Sequence, residues 1–233
     1  MPDANHLADS DSQLVVETAA ELVEDRDDPL AKLEALFLFV RDRILFGFPT
    51  RWKEWDKVTA SQVIEAGYGY CNTKATLLIA LCRAAGISAR VHCGLIDAKL
   101  MRGVFPAIAF PFLPKAGSHS WTEVLLDGTW QPIDSYINDA QLFRAARKRL
   151  EESGDALGYS LSCDAGKCSC EFNFGEKGFV HMGAVVEDHG VWEDPSEYFA
   201  SDKYLEFNAF ERRCYPLIAV LSNRNIRRLR LSG

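Results

Sequence analysis

Helices first, then a strand and a hairpin: this order predicts an α+β domain in which one central helix packs on an antiparallel sheet. Three observations carry the prediction. The stretch from Cys71 to Ala85 is apolar on most sides (Ala75, Leu77, Leu78, Ile79, Ala80, Leu81), a pattern suited to a helix buried at the centre of a domain. Residues 87–96 alternate as a strand. Residues 118–136 alternate on both sides of Asp127-Gly128, the residue pair of a tight hairpin turn.

The elements follow in order. Residues 13–24 and 29–46 both read as helices. The second has Asp28 as its cap, Pro29 at the first helical position, and an apolar stripe of Leu30, Leu33, Phe37, Val40 and Ile44. Thr59-Ala60-Ser61-Gln62 resembles a capping box opening a short helix that Gly67 ends. Gly86 stops the apolar central helix. Residues 98–117 form a long connection rich in Phe105, Pro106, Phe110, Pro111, Phe112 and Pro114, which reads as the wall of a cleft or as a flap over the core. Asn138 is placed to cap a helix running to Glu152. Short strands are expected near 171–186 and helices near 195–231. The domain organisation expected is a core of residues 1–155, including the N-terminal helices, with residues 156–233 as an extension packed on it.

The chain has 233 residues, 48% hydrophobic and 25% charged, enough to build a core. Its net charge of −7 argues against nucleic acid or an anionic membrane as partner. The basic run Arg224–Arg230 reads as a solvated helix end. No basic leader with an apolar run opens the chain, and no run of apolar residues is long enough to span a membrane. Seven cysteines, two of them inside predicted elements (Cys82 and Cys93), suit reduced thiols in a cytoplasm.

Chemistry concentrates at three residues. Cys71 stands in Gly67-Tyr68-Gly69-Tyr70-Cys71, where a glycine-broken loop turns into the central helix. Unsatisfied N–H groups at a helix start stabilise a thiolate, so this position is expected to lower the thiol pKa. In the hairpin, a two-residue turn sets Leu126 opposite Thr129, Trp121 opposite Asp134 and His119 opposite Tyr136. Side chains alternate, so His119, Trp121 and Asp134 share a face, with His119 and Asp134 as diagonal neighbours. A thiol, an imidazole and a carboxylate so placed suit a nucleophile, its base and an orienter.

These residues carry a family resemblance. Gly69, Cys71, Lys74 and Ala75, the passage Leu81–Arg90, His119-x-Trp121-x-Glu123, and Trp130 followed by Asp134 resemble the core of the transglutaminase-like superfamily. The resemblance implies a papain-related α+β fold with Cys71 as nucleophile, His119 as general base and Asp134 as orienter. It implies acyl transfer, with attack on an amide carbonyl and resolution of a thioester by water or by an amine. The Cys71 N–H is one oxyanion donor. Gln62, Trp52 and Trp55 are candidates for the other, and Trp121 for support of the site.

The expected substrate is a peptide or protein and the expected setting cytoplasmic, with no cofactor, nucleic acid or membrane. Hydrolysis leads; an amine-accepting transferase and a catalytically idle binding module are the alternatives. Cys163-x4-Cys168-x-Cys170 with His181 offers zinc-type ligands at a spacing that matches no usual zinc motif, so no metal is expected there.

Overall fold

The structure is a computed structural model that describes residues 6–51, 57–163, 167–174, 179–206 and 208–232. Helices α1 (Gln13–Val23) and α2 (Pro29–Asp42) open it. Asp28 caps α2, accepting from the Ala31 N–H at 2.9 Å, with Pro29 at the first position. The helix ends at Asp42, short of the expected residue 46, because the next residues take another partner. Leu45–Phe46 (β1) pairs in parallel with Tyr68–Gly69 (β2). Leu33, Leu36, Phe37 and Val40 form the buried stripe, whereas Leu30 is exposed.

Thr59 and Gln62 form the expected capping box at the start of α3 (Ala60–Ala66). Gly67 ends the helix at φ 70°, a left-handed conformation that glycine adopts without a steric penalty. Helix α4 (Cys71–Ala84) is the hub, with every residue from Cys71 to Cys82 buried. It packs against β3 (Ala89–Asp97), β4 (Ala116–Leu126) and the first three helices.

The hairpin forms in the expected register. β4 pairs with β5 (Thr129–Ile133), from Leu126 opposite Thr129 to Thr122 opposite Ile133. Asp127 and Gly128 have φ of 48° and 76°, the two positive values that a type I′ turn requires. The four-stranded sheet is antiparallel, in the order β5-β4-β3-β8. Its fourth strand, β8 (Val185–Trp192), comes from the part of the chain expected to be an extension. Gly94 sits at an irregularity between β3 and β8, and a Cβ there would run into the Glu187 carbonyl.

Helix α5 (Ala140–Ser153) is capped by Asp139 rather than by Asn138. The Asp139 carboxylate accepts from the Leu142 N–H at 3.0 Å and from Arg230 Nε at 3.0 Å. This contact ties α7 (Ala209–Arg230) to the start of α5, so Arg230 is not part of a free basic patch, whereas Arg224, Arg227 and Arg228 are exposed. Between them lie the ribbon of β6 (Leu157–Gly158) with β7 (Leu161–Ser162), and α6 (Pro195–Phe199). The strands expected near 171–186 reduce to the start of β8 among the described residues.

Cys163 and Cys168 form a disulfide, which corrects the expectation of reduced thiols throughout. It also removes two of the four zinc-type ligands considered at that loop. Among the described residues, no helix is long and apolar enough to cross a membrane.

Candidate active site

The entry to α4 is held by Thr73, whose Oγ1 accepts from the Tyr70 N–H at 3.0 Å. Cys71 is therefore the first helical residue, as the sequence predicts. One turn on, the fully buried Lys74 donates from Nζ to the Ile137 carbonyl at 2.8 Å. That bond ties the segment following Asp134 to the nucleophile's own helix. Burial lowers the Lys74 pKa to about 7, with Asp139 opposing.

His119 faces this helix start. Ligating atoms of Cys71, His119 and His181 all lie within 4.8 Å of one another, and all three residues are buried. Trp121 lies between two histidines, its ring 4.2 Å from that of His92 and 5.7 Å from that of His119. The His119 and His181 rings are 5.3 Å apart. Neither ring nitrogen of His119 has a hydrogen-bond partner among the described residues, nor do His181 Nδ1 and Trp121 Nε1.

Asp134 is placed differently from the expectation. Its Oδ1 accepts from the Val180 N–H at 2.8 Å, and its Oδ2 from the N–H groups of His181 at 2.7 Å and Met182 at 2.9 Å. No hydrogen bond joins it to His119 among the described residues. The reason is where the ladder stops. Pairing ends at Ile133, so Asp134 is the first residue free to leave the ribbon, and three consecutive backbone donors claim its carboxylate. Burial pushes Asp134 up to about 7, with the three N–H donors acting in the opposite direction.

His181 was singled out from the sequence only as a companion to the cysteines of residues 163–170. Its neighbours are instead Cys71 and His119. Its Nε2 lies 3.0 Å from the Ser160 carbonyl, which can only accept, so Nε2 carries the proton and Nδ1 is left as a bare lone pair. The Ser160 hydroxyl, 2.9 Å from the same nitrogen, donates onward to Asn138 Oδ1 at 3.1 Å. No local motif marks His181; the Asp134 clamp on its backbone and the Ser160 bond to its ring hold it here.

Gln62 does not reach the site. Its Oε1 accepts from the Thr59 N–H at 3.0 Å, so the capping box uses the side chain considered as an oxyanion donor. Trp52 and Trp55 lie outside the described residues. The side chain that does accompany Cys71 is Asn72, whose Oδ1 is 3.5 Å from the sulfur and whose Nδ2 is 3.5 Å from Ser118 Oγ.

Burial dominates the electrostatics. It pushes the Cys71 thiol up to about 12, outweighing the backbone N–H groups near the helix start. Burial, with His181 as a second cause, holds His119 well below the ordinary imidazole range. Both effects favour a neutral thiol and a neutral imidazole, against the expected helix-activated thiolate.

Cys71 and Asn72 also line a cavity of about 380 Å³. Its walls are largely apolar and include Phe48, Met101, Phe105 and Phe112, with Tyr215 and Ile218 of α7. The Phe- and Pro-rich connection thus lines a cleft beside the nucleophile position.

The scaffold that places a helix-borne cysteine beside a strand-borne histidine is of the α+β class, with helices packed on a four-stranded antiparallel sheet. The transglutaminase-like superfamily model matches residues 16–135, just over half of the chain. The chain belongs to that superfamily. Among solved structures, it is similar to a candidate cysteine protease from Cytophaga hutchinsonii, at 22% identity and a TM-score of 0.42, over 55% of this chain and 38% of that one. It is also similar to a candidate protease from Parabacteroides distasonis, at 16% identity and a TM-score of 0.37, over 55% of this chain and 25% of that one. The chain thus spans well under two thirds of either structure's length. No curated protein matches it significantly.

Proposed function

We propose that this protein is a cysteine-dependent acyl-transfer enzyme that hydrolyses a peptide or other amide bond through a thioester on Cys71. One observation carries the reading: the Cys71 sulfur lies within 4.8 Å of a ring nitrogen of His119, in the wall of a cavity able to hold a substrate group. Membership of the transglutaminase-like superfamily supports it.

Starting from the neutral pair, His119 takes the thiol proton as sulfur attacks the carbonyl carbon, and the C–S bond forms. The resulting imidazolium gives that proton to the leaving amine as the C–N bond breaks. A water then attacks the thioester with His119 as base, releasing the acid and restoring the thiol. The Cys71 N–H at the start of α4 stabilises the oxyanion, with the Asn72 amide beside it. Asp134 acts at one remove, holding the backbone of residues 180–182 against the site. The apolar walls favour an acyl group with a large apolar side chain.

A second reading, transfer to an amine, has its own support. Glu206 and Glu211 are the carboxylates in a largely apolar lining, suited to an incoming ammonium group. The test offers an amide peptide with an apolar acyl residue, with and without a primary amine, and follows product masses. Free acid in both cases establishes hydrolysis, an amine adduct establishes transfer, and no turnover by the wild-type chain removes both. The Cys71→Ala variant is expected to lose activity by at least roughly 10⁴-fold.

A further inference from the structure

Three buried nitrogens in one place lack a partner among the described residues: both of His119 and Nδ1 of His181. Buried polar atoms of this kind call for a ligand, because each bare group costs free energy that a bond would recover. The third member of the cluster is a thiol. From this juxtaposition we propose that Cys71, His119 and His181 form a binding site for a soft divalent cation of the zinc class, and that occupancy holds the enzyme inactive.

The donor set is one thiolate and two imidazoles, the chemistry that such an ion prefers. His181 is already prepared as a ligand. Its Nε2–H is spent on the Ser160 carbonyl, leaving the Nδ1 lone pair bare, and Ser160 in turn is held by Asn138. A ring whose second nitrogen is fixed by a carbonyl is the usual support for a metal-bound histidine. Asp134 fixes the backbone of the same residue, so this ligand is anchored at both main chain and ring.

The donor atoms now span up to 4.8 Å, against about 3.3–3.6 Å between neighbouring ligands of a tetrahedral zinc ion. Binding requires these atoms to close by about an ångström, through side-chain rotation of Cys71 and His119. Cys71 lines the cavity, which supplies the entry path and leaves a fourth position for water. On binding, the S–H bond breaks, a sulfur–metal bond forms and the proton leaves to solvent. No redox change occurs. Coordination draws charge from the sulfur and weakens it as a nucleophile, and His119 is no longer free to accept a proton.

The test titrates cobalt(II) into the metal-free 233-residue chain and follows absorption. One equivalent per chain is expected, with tetrahedral d–d bands and a thiolate-to-cobalt charge-transfer band. Cys71→Ser, nearly isosteric, is expected to abolish the charge-transfer band. His181→Ala is expected to weaken binding by roughly 100-fold or more. Cys170→Ala is expected to leave both signals unchanged. Absence of stoichiometric binding, or a charge-transfer band that survives in Cys71→Ser, overturns the proposal; should His181→Ala fail to fold, Cys71→Ser still decides. The readout needs no substrate. A chain that binds cobalt but never turns over keeps the site and loses the proposed hydrolysis, whereas an active chain indifferent to cobalt does the reverse.

Discussion

At residue 71 two effects act against each other: the helix end favours a thiolate, and burial favours a thiol. Burial outweighs the helix end, which favours proton transfer to His119 in step with attack. His119→Ala is accordingly expected to lower kcat/KM by about 10²–10⁴-fold, measured on any substrate that Cys71 turns over. Asp134→Asn keeps the shape but sets an NH₂ group against N–H donors. A loss of about 2–4 kcal/mol in urea denaturation is expected, because buried donors lose an acceptor. His92 gives the pH dependence. It sits between Glu123 at 2.8 Å and Asp188 at 2.7 Å, and although burial works to lower its pKa, these two carboxylates raise it overall. A raised folded-state pKa means the contribution is complete below the ordinary imidazole value and fades as pH rises through the folded one. Glu123, held low mainly by His92, behaves oppositely: its contribution is present above the ordinary carboxylate value and is lost as pH falls through the depressed one. Urea midpoints should therefore fall as pH rises through the His92 range, and fall less in His92→Gln.

Among the elements, the β-ribbon and α4 were legible because each carries a local signal. Asp127-Gly128 sets the hairpin register, and the period of the apolar residues marks α4. The flap was legible only as an unusual length of Phe and Pro. Its role as a cavity wall depends also on α7, which no local pattern announces. Phe105 packs on Phe48 at 5.2 Å between ring centroids, within that wall. Phe105→Ala is expected to raise KM for an apolar acyl substrate about tenfold with kcat nearly unchanged, since the lost contact serves ground and transition states alike. At Gly94, paired with His119 across the ladder, alanine would meet the Glu187 carbonyl. Gly94→Ala is expected to cost about 1–3 kcal/mol and to loosen β8, read by urea denaturation and by hydrogen exchange of β8 amides.

At the scale of the molecule, the region after residue 155 is joined to the core by specific bonds. β8 completes the sheet, residues 180–182 satisfy Asp134, and Asp194 accepts from the Leu7 and Ala8 N–H groups at 3.1 Å each. These are long-range contacts between the two ends of the chain. A chain cut after residue 155 would leave the β3 edge unpaired and Asp134 buried without donors, and is expected to lack a cooperative unfolding transition by circular dichroism.

The sequence alone determined the helix start at Cys71, the hairpin register and the common face of His119 and Trp121. Each follows from neighbours a few residues away, through caps, turn chemistry and alternation. Tertiary structure alone decided the rest: which donors take the Asp134 carboxylate, that His181 stands beside His119, and that burial works against a thiolate at Cys71. These outcomes depend on burial and on partners more than forty residues distant, and neither quantity is encoded in a local run of side chains.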